Sequence, residues 1–261
     1  MNTDISEVIT RLGTSLKEGD CPDPQMFKIF GPGETRTAFK NIGLISLNNL
    51  IRYAGLAQHE TVLDIGCGIG RVALPLTHYL DSSARYYGID PVEEAISWCR
   101  DNISSKHTNF SFEHVDWHNK MYNKRGTVDP ASYKISWENG SFDLVYLFSV
   151  FTHIKPDTLR NYLSEIKRML TKNGRVFMTM FIVDEDTERR IDNNETHRPF
   201  FKADENYWTD HRDIHESAMA YRYEYVQDLL KEVGLQMSDN YIRGGWREKK
   251  AGQDILVAWN R

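Results

Sequence analysis

The run Leu63-Asp64-Ile65-Gly66-Cys67-Gly68-Ile69-Gly70 decides how this chain is read. The apolar stretch from Thr61 to Ile65 predicts a short strand ending in glycines, and Arg71 to Leu80 predicts a helix behind it, with Pro75 near its first turn. Glycines at a strand-to-helix junction let the backbone turn sharply and approach a ligand without Cβ clashes. The helix N-terminus behind them favours a negative group. A nicotinamide loop of the form G-x-G-x-x-G is the obvious competitor, but here the third glycine arrives one residue early. Asp64, two residues before the first glycine, would repel a pyrophosphate and suits a cationic head group.

Outward from this run the chain alternates short apolar strands with amphipathic helices. Strands are expected at Tyr86 to Ile89, Asn109 to Val115, Phe142 to Phe148 and Arg175 to Phe181. A helix is expected after Pro91, whose fixed φ suits a helix start, with Val92, Ala95, Ile96, Cys99 and Ile103 on one face. Others are expected from Asp157 to Leu170 and through Val226, Leu229, Leu230 and Val233 to Gly234. Such alternation calls for a doubly wound, Rossmann-like α/β sheet with both faces covered. The last two strands, Leu235 to Ile242 and Asp254 to Trp259, have only a loop between them, which suits an antiparallel pair at one edge.

Residues 1–55 are expected to form a helical cap, and residues 56–261 the main domain. Insertions at 117–141 and 182–222 follow strands three and five, where open α/β sheets bind ligands, so they are candidate walls and lid.

At 261 residues, with 40% hydrophobic and 26% charged residues, the chain suits one soluble domain with insertions and carries no apolar run of membrane-crossing length. No secretory signal pattern opens it, and three widely spaced cysteines fit a reducing compartment, so a cytoplasmic location is expected. A formal charge of −5 argues against nucleic acid as a partner, as does Phe148-Ser149-Val150-Phe151 where amino-methylating enzymes of bases carry an Asn/Asp-Pro-Pro-aromatic run.

Two more acids mark strand ends. Asp90, twenty residues past Gly70, is positioned to accept hydrogen bonds from ribose hydroxyls, with Pro91 beside it. Asp116 could accept from an adenine amino group while Trp117 offers a flat face; the competing reading of Asp116 is a cap.

On these residues the chain resembles the class I S-adenosylmethionine-dependent methyltransferases from about Thr61 to Trp259. The carriers are Val62 to Arg71, Gly88-Ile89-Asp90, Asp116-Trp117, and Phe142-Asp143-Leu144-Val145 leading to Ser149-Val150-Phe151-Thr152-His153-Ile154. The resemblance implies a seven-stranded sheet with its last strand antiparallel and S-adenosylmethionine as cofactor. It also implies roles: Asp64 and Gly66, Cys67 and Gly68 on the methionine part, with Gly70 and Arg71 completing the loop. Asp90 and Pro91 fall to the ribose, Asp116 and Trp117 to the adenine, and Leu147 and Phe148 to the sulfonium side. The run Ser149 to His153, Tyr162-Leu163-Ser164-Glu165-Ile166 and Gly252-Gln253-Asp254-Ile255 are similar to a subgroup linked to sugar or glycan tailoring.

A hydroxyl acceptor needs its proton removed, and His153, after the fourth strand on the ligand side, is the candidate base. The alternative is that it fixes its loop. The 182–222 insertion offers His197, Phe200, Phe201, Tyr207 and Trp208 as a sugar-stacking or apolar pocket. His211 and His215 are four apart, but no third ligand is evident, and Asp184, Glu185 and Asp186 read as a solvated cluster, so no metal is expected. Near the N-terminus, Phe27, Phe30 and Arg36 flank Gly31-Pro32-Gly33, a candidate hinge, and Arg36 is a candidate partner for the methionine carboxylate. The leading expectation is an O-methyltransferase acting on a sugar, glycan or other small molecule. An N-methyltransferase on a small molecule or protein, and a non-catalytic binding module, are the alternatives; a nicotinamide-dependent oxidoreductase would need the glycine loop this chain lacks.

Overall fold

A computed structural model describes residues 5–27, 35–237 and 240–261. They fall into two compact units, Met1–Val115 and Asp116–Arg261. The chain has the expected Rossmann-like α/β architecture, mostly parallel with its last strand antiparallel.

In the first unit, β1 (Thr61–Ile65), β2 (Arg85–Asp90) and β3 (Phe110–His114) run parallel, with Val62 opposite Tyr86 and Tyr86 opposite Phe110. Leu63, Ile65, Tyr86 and Ile89 are buried, as expected for strands covered on both faces. Helices α1 (Ile5–Ser15), α2 (Pro24–Phe27) and α3 (Arg36–Ala54) precede them. Thr35 caps α3 by accepting from Ala38 N at 3.1 Å, and Gly55, at φ 64°, ends it in the left-handed region. The helix expected from Arg71 to Leu80 contracts to one turn, α4 (Ala73–Leu76). Pro75 has no N–H to donate to the Arg71 carbonyl, so the ladder breaks there. Helix α3 fills the gap: Gly43 lies so close that a Cβ would overlap the Arg71 carbonyl oxygen. Helix α5 (Glu93–Cys99) opens with Glu93 and Glu94 at its positive end and runs into a π-turn, Arg100–Ser104.

In the second unit, β4 (Phe142–Leu147) pairs parallel with β5 (Leu170–Val183), and β10 (Asp254–Trp259) pairs antiparallel with β5, Ile255 opposite Thr179. The strand before β10 is much shorter than expected, only β9 (Gln236–Met237), followed by an isolated bridge between Ile242 and Ile255. Helix α6 (Pro156–Met169) buries Leu159, Tyr162, Leu163 and Ile166, the stripe read from the sequence.

The two insertions differ. Residues 182–222 carry α7 (Glu185–Asp192) and three short strands, β6 (Phe201–Lys202), β7 (Tyr207–Thr209) and β8 (Met219–Arg222). Strand β8 runs parallel to the end of β5, with Phe181 opposite Ala220, so this insertion extends the sheet of its unit. Residues 117–141 form no helix or named strand. Helix α6 pins them instead: Asn161 Nδ2 donates to the Pro130 and Tyr133 carbonyls, each at 2.9 Å, and Arg168 to those of Ile135 and Trp137, at 2.8 and 2.6 Å. No helix among the described residues is long and apolar enough to cross a membrane.

Candidate functional site

The glycine run turns as the sequence requires. Gly66, Gly68 and Gly70 have φ of 78°, 51° and 71°, a region in which a side chain would be strained. Gly66 N and Cys67 N both donate to the Ile89 carbonyl, at 2.8 and 3.1 Å, which ties the end of β1 to β2. Asp90 continues this tie, accepting from Gly68 N on one oxygen at 2.8 Å and from Val92 N on the other at 2.9 Å. Burial pushes the Asp90 carboxyl up to about 6, against the opposing pull of those two N–H groups and of His114. Asp64 is buried too and accepts from the Tyr86 hydroxyl at 2.8 Å. Arg71, at the start of the helix turn, has its pKa lowered by burial, while Asp64 pulls it back. The thiols of Cys67 and Cys99 both approach the Gly68 carbonyl, at 3.7 and 3.5 Å; burial raises both pKa values well, so they stay protonated. Pro91 is half-buried beside Asp90. The first unit thus presents two buried, acceptor-only carboxylates around a left-handed backbone loop. Hydroxyl donors and a cationic group are the chemistry that fits it.

Elsewhere in this unit the expectations find less. Arg36 donates from Nε to the Pro22 carbonyl at 3.3 Å, and Phe27 stacks on Phe39 with centroids 5.0 Å apart. Phe30 and Gly31-Pro32-Gly33 lie outside the described residues.

In the second unit the pair expected to hold adenine is differently engaged. Asp116 accepts from Asn123 Nδ2 at 3.2 Å and from Thr127 N and Oγ1 at 3.0 and 2.6 Å, which closes the 117–128 loop. Trp117 is 4% exposed and meets Tyr133 and Tyr162 edge-on, so its ring packs in the interior and offers no free face. Asp116 thus serves as a loop clamp, and no helix follows it to be capped. Leu147 is buried within β4, and Phe148 is half-buried against Tyr146 and Phe177.

Beyond Phe148 the chain makes a turn the sequence does not announce. Ser149 has φ 61°, a left-handed conformation uncommon outside glycine. It is held by Thr179 Oγ1, which accepts from Ser149 N at 2.8 Å, and by Gln253 Oε1, which accepts from Ser149 Oγ at 3.0 Å and Thr179 Oγ1 at 2.7 Å. The strained turn leads into a 3-10 turn, Phe151–His153.

His153 is half-buried at the end of that turn. Its Nδ1 lies 2.8 Å from the Glu216 carbonyl and its Nε2 lies 3.4 Å from the Tyr122 hydroxyl. Burial lowers its pKa and Arg198 acts in the same direction; the Glu216 carbonyl and Asp210 oppose them, and the net direction is down. The ring is therefore neutral near pH 7. Glu216 is buried, with one carboxylate oxygen 3.6 Å from Lys155 Nζ, and Asp210 pairs with Arg198 at 2.6 Å. Tyr122, Glu216 and Asp210 were missed from the sequence; each sits far along the chain from His153 with no motif of its own.

The pocket expected from the 182–222 insertion needs correcting. Phe200 and Trp208 are core residues, packed with Phe181, Ile191 and Trp246. The Trp208 ring also lies under the Lys202 and Arg222 side chains, which cover it from water. Phe201 is half-buried beneath the Arg212 guanidinium, Tyr207 bonds through its hydroxyl to His215 Nδ1 at 3.1 Å, and His197 is exposed. His211 Nδ1 accepts from the N–H groups of Asp213 and Ile214, so it closes a turn and shares no helix face with His215. Asp184 caps α7 and, with Tyr241 and Arg243 on its oxygens, is pulled down to about 2. No group of histidines, cysteines and acids among the described residues could hold a metal.

A family model described as a methyltransferase domain matches residues 56–219. The fold is similar to that of a SAM-dependent methyltransferase from Aquifex aeolicus (15% identity, 92% of this chain and 100% of that one, TM-score 0.56). It is also similar to a protein from Pyrococcus horikoshii OT3 (19%, 91% and 97%, TM-score 0.59). A third similar structure is a magnesium protoporphyrin IX methyltransferase from Synechocystis PCC 6803 with bound SAH (15%, 90% and 92%, TM-score 0.54). At these identities the likeness is one of fold; the family match, over more than half of the chain and starting just before the glycine run, establishes that the protein belongs to the methyltransferase domain family.

Proposed function

We propose that the protein transfers the methyl group of S-adenosylmethionine to a hydroxyl of a sugar, glycan or other small-molecule acceptor. The cofactor supplies a methyl group already activated on a sulfonium, so the protein chiefly has to hold the two reactants in line and exclude water. Asp90 takes the ribose hydroxyls. Each oxygen of its buried carboxylate has one backbone N–H and room to accept another bond, and two hydroxyl protons favour the ionised form that burial penalises. Asp64 and the backbone of Gly66, Cys67 and Gly68 take the methionine part, with Gly70, Arg71 and Pro91 shaping the loop. A solved structure of similar fold holds S-adenosylhomocysteine, which agrees with this reading.

The observation that carries the choice of a hydroxyl acceptor is His153. A neutral imidazole whose Nε2 meets the half-buried Tyr122 hydroxyl at 3.4 Å is a proton acceptor that a hydroxyl nucleophile requires and a neutral amine does not. The test is incubation of the protein with methyl-labelled S-adenosylmethionine and a panel of free sugars, methyl glycosides and matched amino sugars. Methyl ethers on the hydroxylic members are the expected product, read by mass spectrometry. Transfer confined to amino groups would sink the hydroxyl reading.

A further inference from the structure

His153 is fixed on both ring nitrogens by residues outside its own motif. A peptide carbonyl can only accept, so the 2.8 Å contact to Glu216 means that Nδ1 carries the ring proton. In the neutral ring Nε2 is then the acceptor, and the Tyr122 hydroxyl at 3.4 Å donates toward it. The two rings meet edge to face, with centroids 5.3 Å apart and planes at 80°. Both residues are half-buried, so this pair keeps contact with the outside. One side chain secures it: Asn119 Oδ1 accepts from Met121 N and Tyr122 N at 2.9 and 3.1 Å, while its Nδ2 donates to the His153 carbonyl at 3.4 Å.

We propose that Tyr122 and His153 act together on the acceptor's proton, the Tyr122 oxygen receiving it from the attacking hydroxyl as the phenol's own proton passes to His153 Nε2. The inference rests on the hydroxyl reading given above. The acceptor O–H bond breaks as its oxygen gains the methyl group; the phenol O–H is broken and re-formed; His153 ends as the imidazolium and later returns the proton to water. Burial disfavours that imidazolium, and two neighbours offset part of the cost. Its Nδ1–H stays on the Glu216 carbonyl, and Asp210 attracts the charge, with Arg198 opposing and Lys155 held on Glu216. The outer oxygens Glu216 Oε2 and Asp210 Oδ1 are buried with no hydrogen-bond partner among the described residues, which leaves acceptor capacity where positive charge arrives.

Long-range proton–nitrogen spectra of protein labelled in its nine histidines, with and without S-adenosylhomocysteine, test the arrangement directly. The H153Q variant assigns the signal. At pH 7 the expected pattern is a protonated Nδ1 and an unprotonated Nε2, and Y122F is expected to move Nε2 by several parts per million while Nδ1 stays in place. The opposite tautomer, or an Nε2 shift indifferent to Y122F, overturns the proposal. Unchanged backbone spectra and unchanged S-adenosylhomocysteine affinity establish that Y122F is folded. With an acceptor from the panel, Y122F is expected to lower kcat at least tenfold, leave the KM for S-adenosylmethionine alone and alter the acid limb of the pH profile. Wild-type turnover by Y122F overturns the relay. Failure of the hydroxyl reading would appear differently, as transfer to amines alone with the tautomer intact.

Discussion

Each oxygen of the Asp90 carboxylate accepts one backbone N–H, so this residue shapes the glycine loop in addition to the ribose contact proposed for it. The Asp90→Ala variant therefore loses two hydrogen bonds at once. Its affinity for S-adenosylhomocysteine is expected to fall at least about 100-fold, since two charge-assisted bonds to the ribose hydroxyls are worth about 3 kcal/mol or more. Calorimetry measures that loss, and an unchanged affinity would remove Asp90 from the site. The raised pKa gives a second expectation. In the folded protein Asp90 holds its proton up to about 6, whereas the unfolded chain loses it near the ordinary carboxylate value of 3.8, so this group's contribution to stability falls as pH rises between those values and is level above them. Ligand hydroxyls stabilise the ionised form. Binding should then release a proton near pH 6, and affinity should rise with pH to about that point before levelling off. Affinity independent of pH between 5 and 7.5 would contradict it. The place of Asp64 and Asp90 beside the glycine loop was legible because their spacing from the glycines is local. Trp117 was not, because whether its ring faces outward is decided by Tyr133 and Tyr162, which reach it only in the folded chain.

At the scale of elements, the strands and the long helices were legible from period alone, and the failures have nameable causes. Pro75 was placed in a helix near its start, but removal of its N–H exposes the Arg71 carbonyl, and only a glycine in α3 can come close enough to cover it. Gly43→Ala must push α3 away from the turn behind the glycine run. A cost of about 1–3 kcal/mol follows from such overpacking, and the melting temperature should drop by several degrees. The 182–222 insertion was misread because short strands such as β6 and β7 carry too few residues to display a period, and its aromatic residues suggest a pocket as readily as a core. Its anchor was equally hidden. Asp254 accepts from Ile182 N at 2.8 Å, Trp246 Nε1 at 2.9 Å and Gly244 N at 2.7 Å, and pairs with the buried Arg247. Asp254→Asn keeps the shape and strands a buried guanidinium. The expected cost is about 3–5 kcal/mol, measured by denaturant unfolding; a loss under about 1 kcal/mol would show that Thr187 and the Ile182 carbonyl suffice to hold Arg247.

For the whole molecule, the adenosine-bearing ligand of the glycine run is what separates two enzyme classes built on one architecture. The family match points to methyl transfer. Within the loop itself, the early third glycine and the buried Asp64 both oppose a pyrophosphate, whereas the same carboxylate favours a sulfonium-bearing or ammonium-bearing ligand. A ligand that binds only the folded state raises stability by mass action, by about 2.7 kcal/mol at one hundred times its Kd. For a chain of this size that corresponds to a rise in melting temperature of roughly 5–10 °C. S-adenosylhomocysteine is expected to produce such a rise in a thermal scan, and NADH at the same concentration to produce none. An equal rise with NADH would mean that Asp64 does not face the ligand, and the loop's charge argument would fail with it. A rise with neither would leave the glycine loop a structural turn, with Asp90 serving only the Gly68 and Val92 N–H groups.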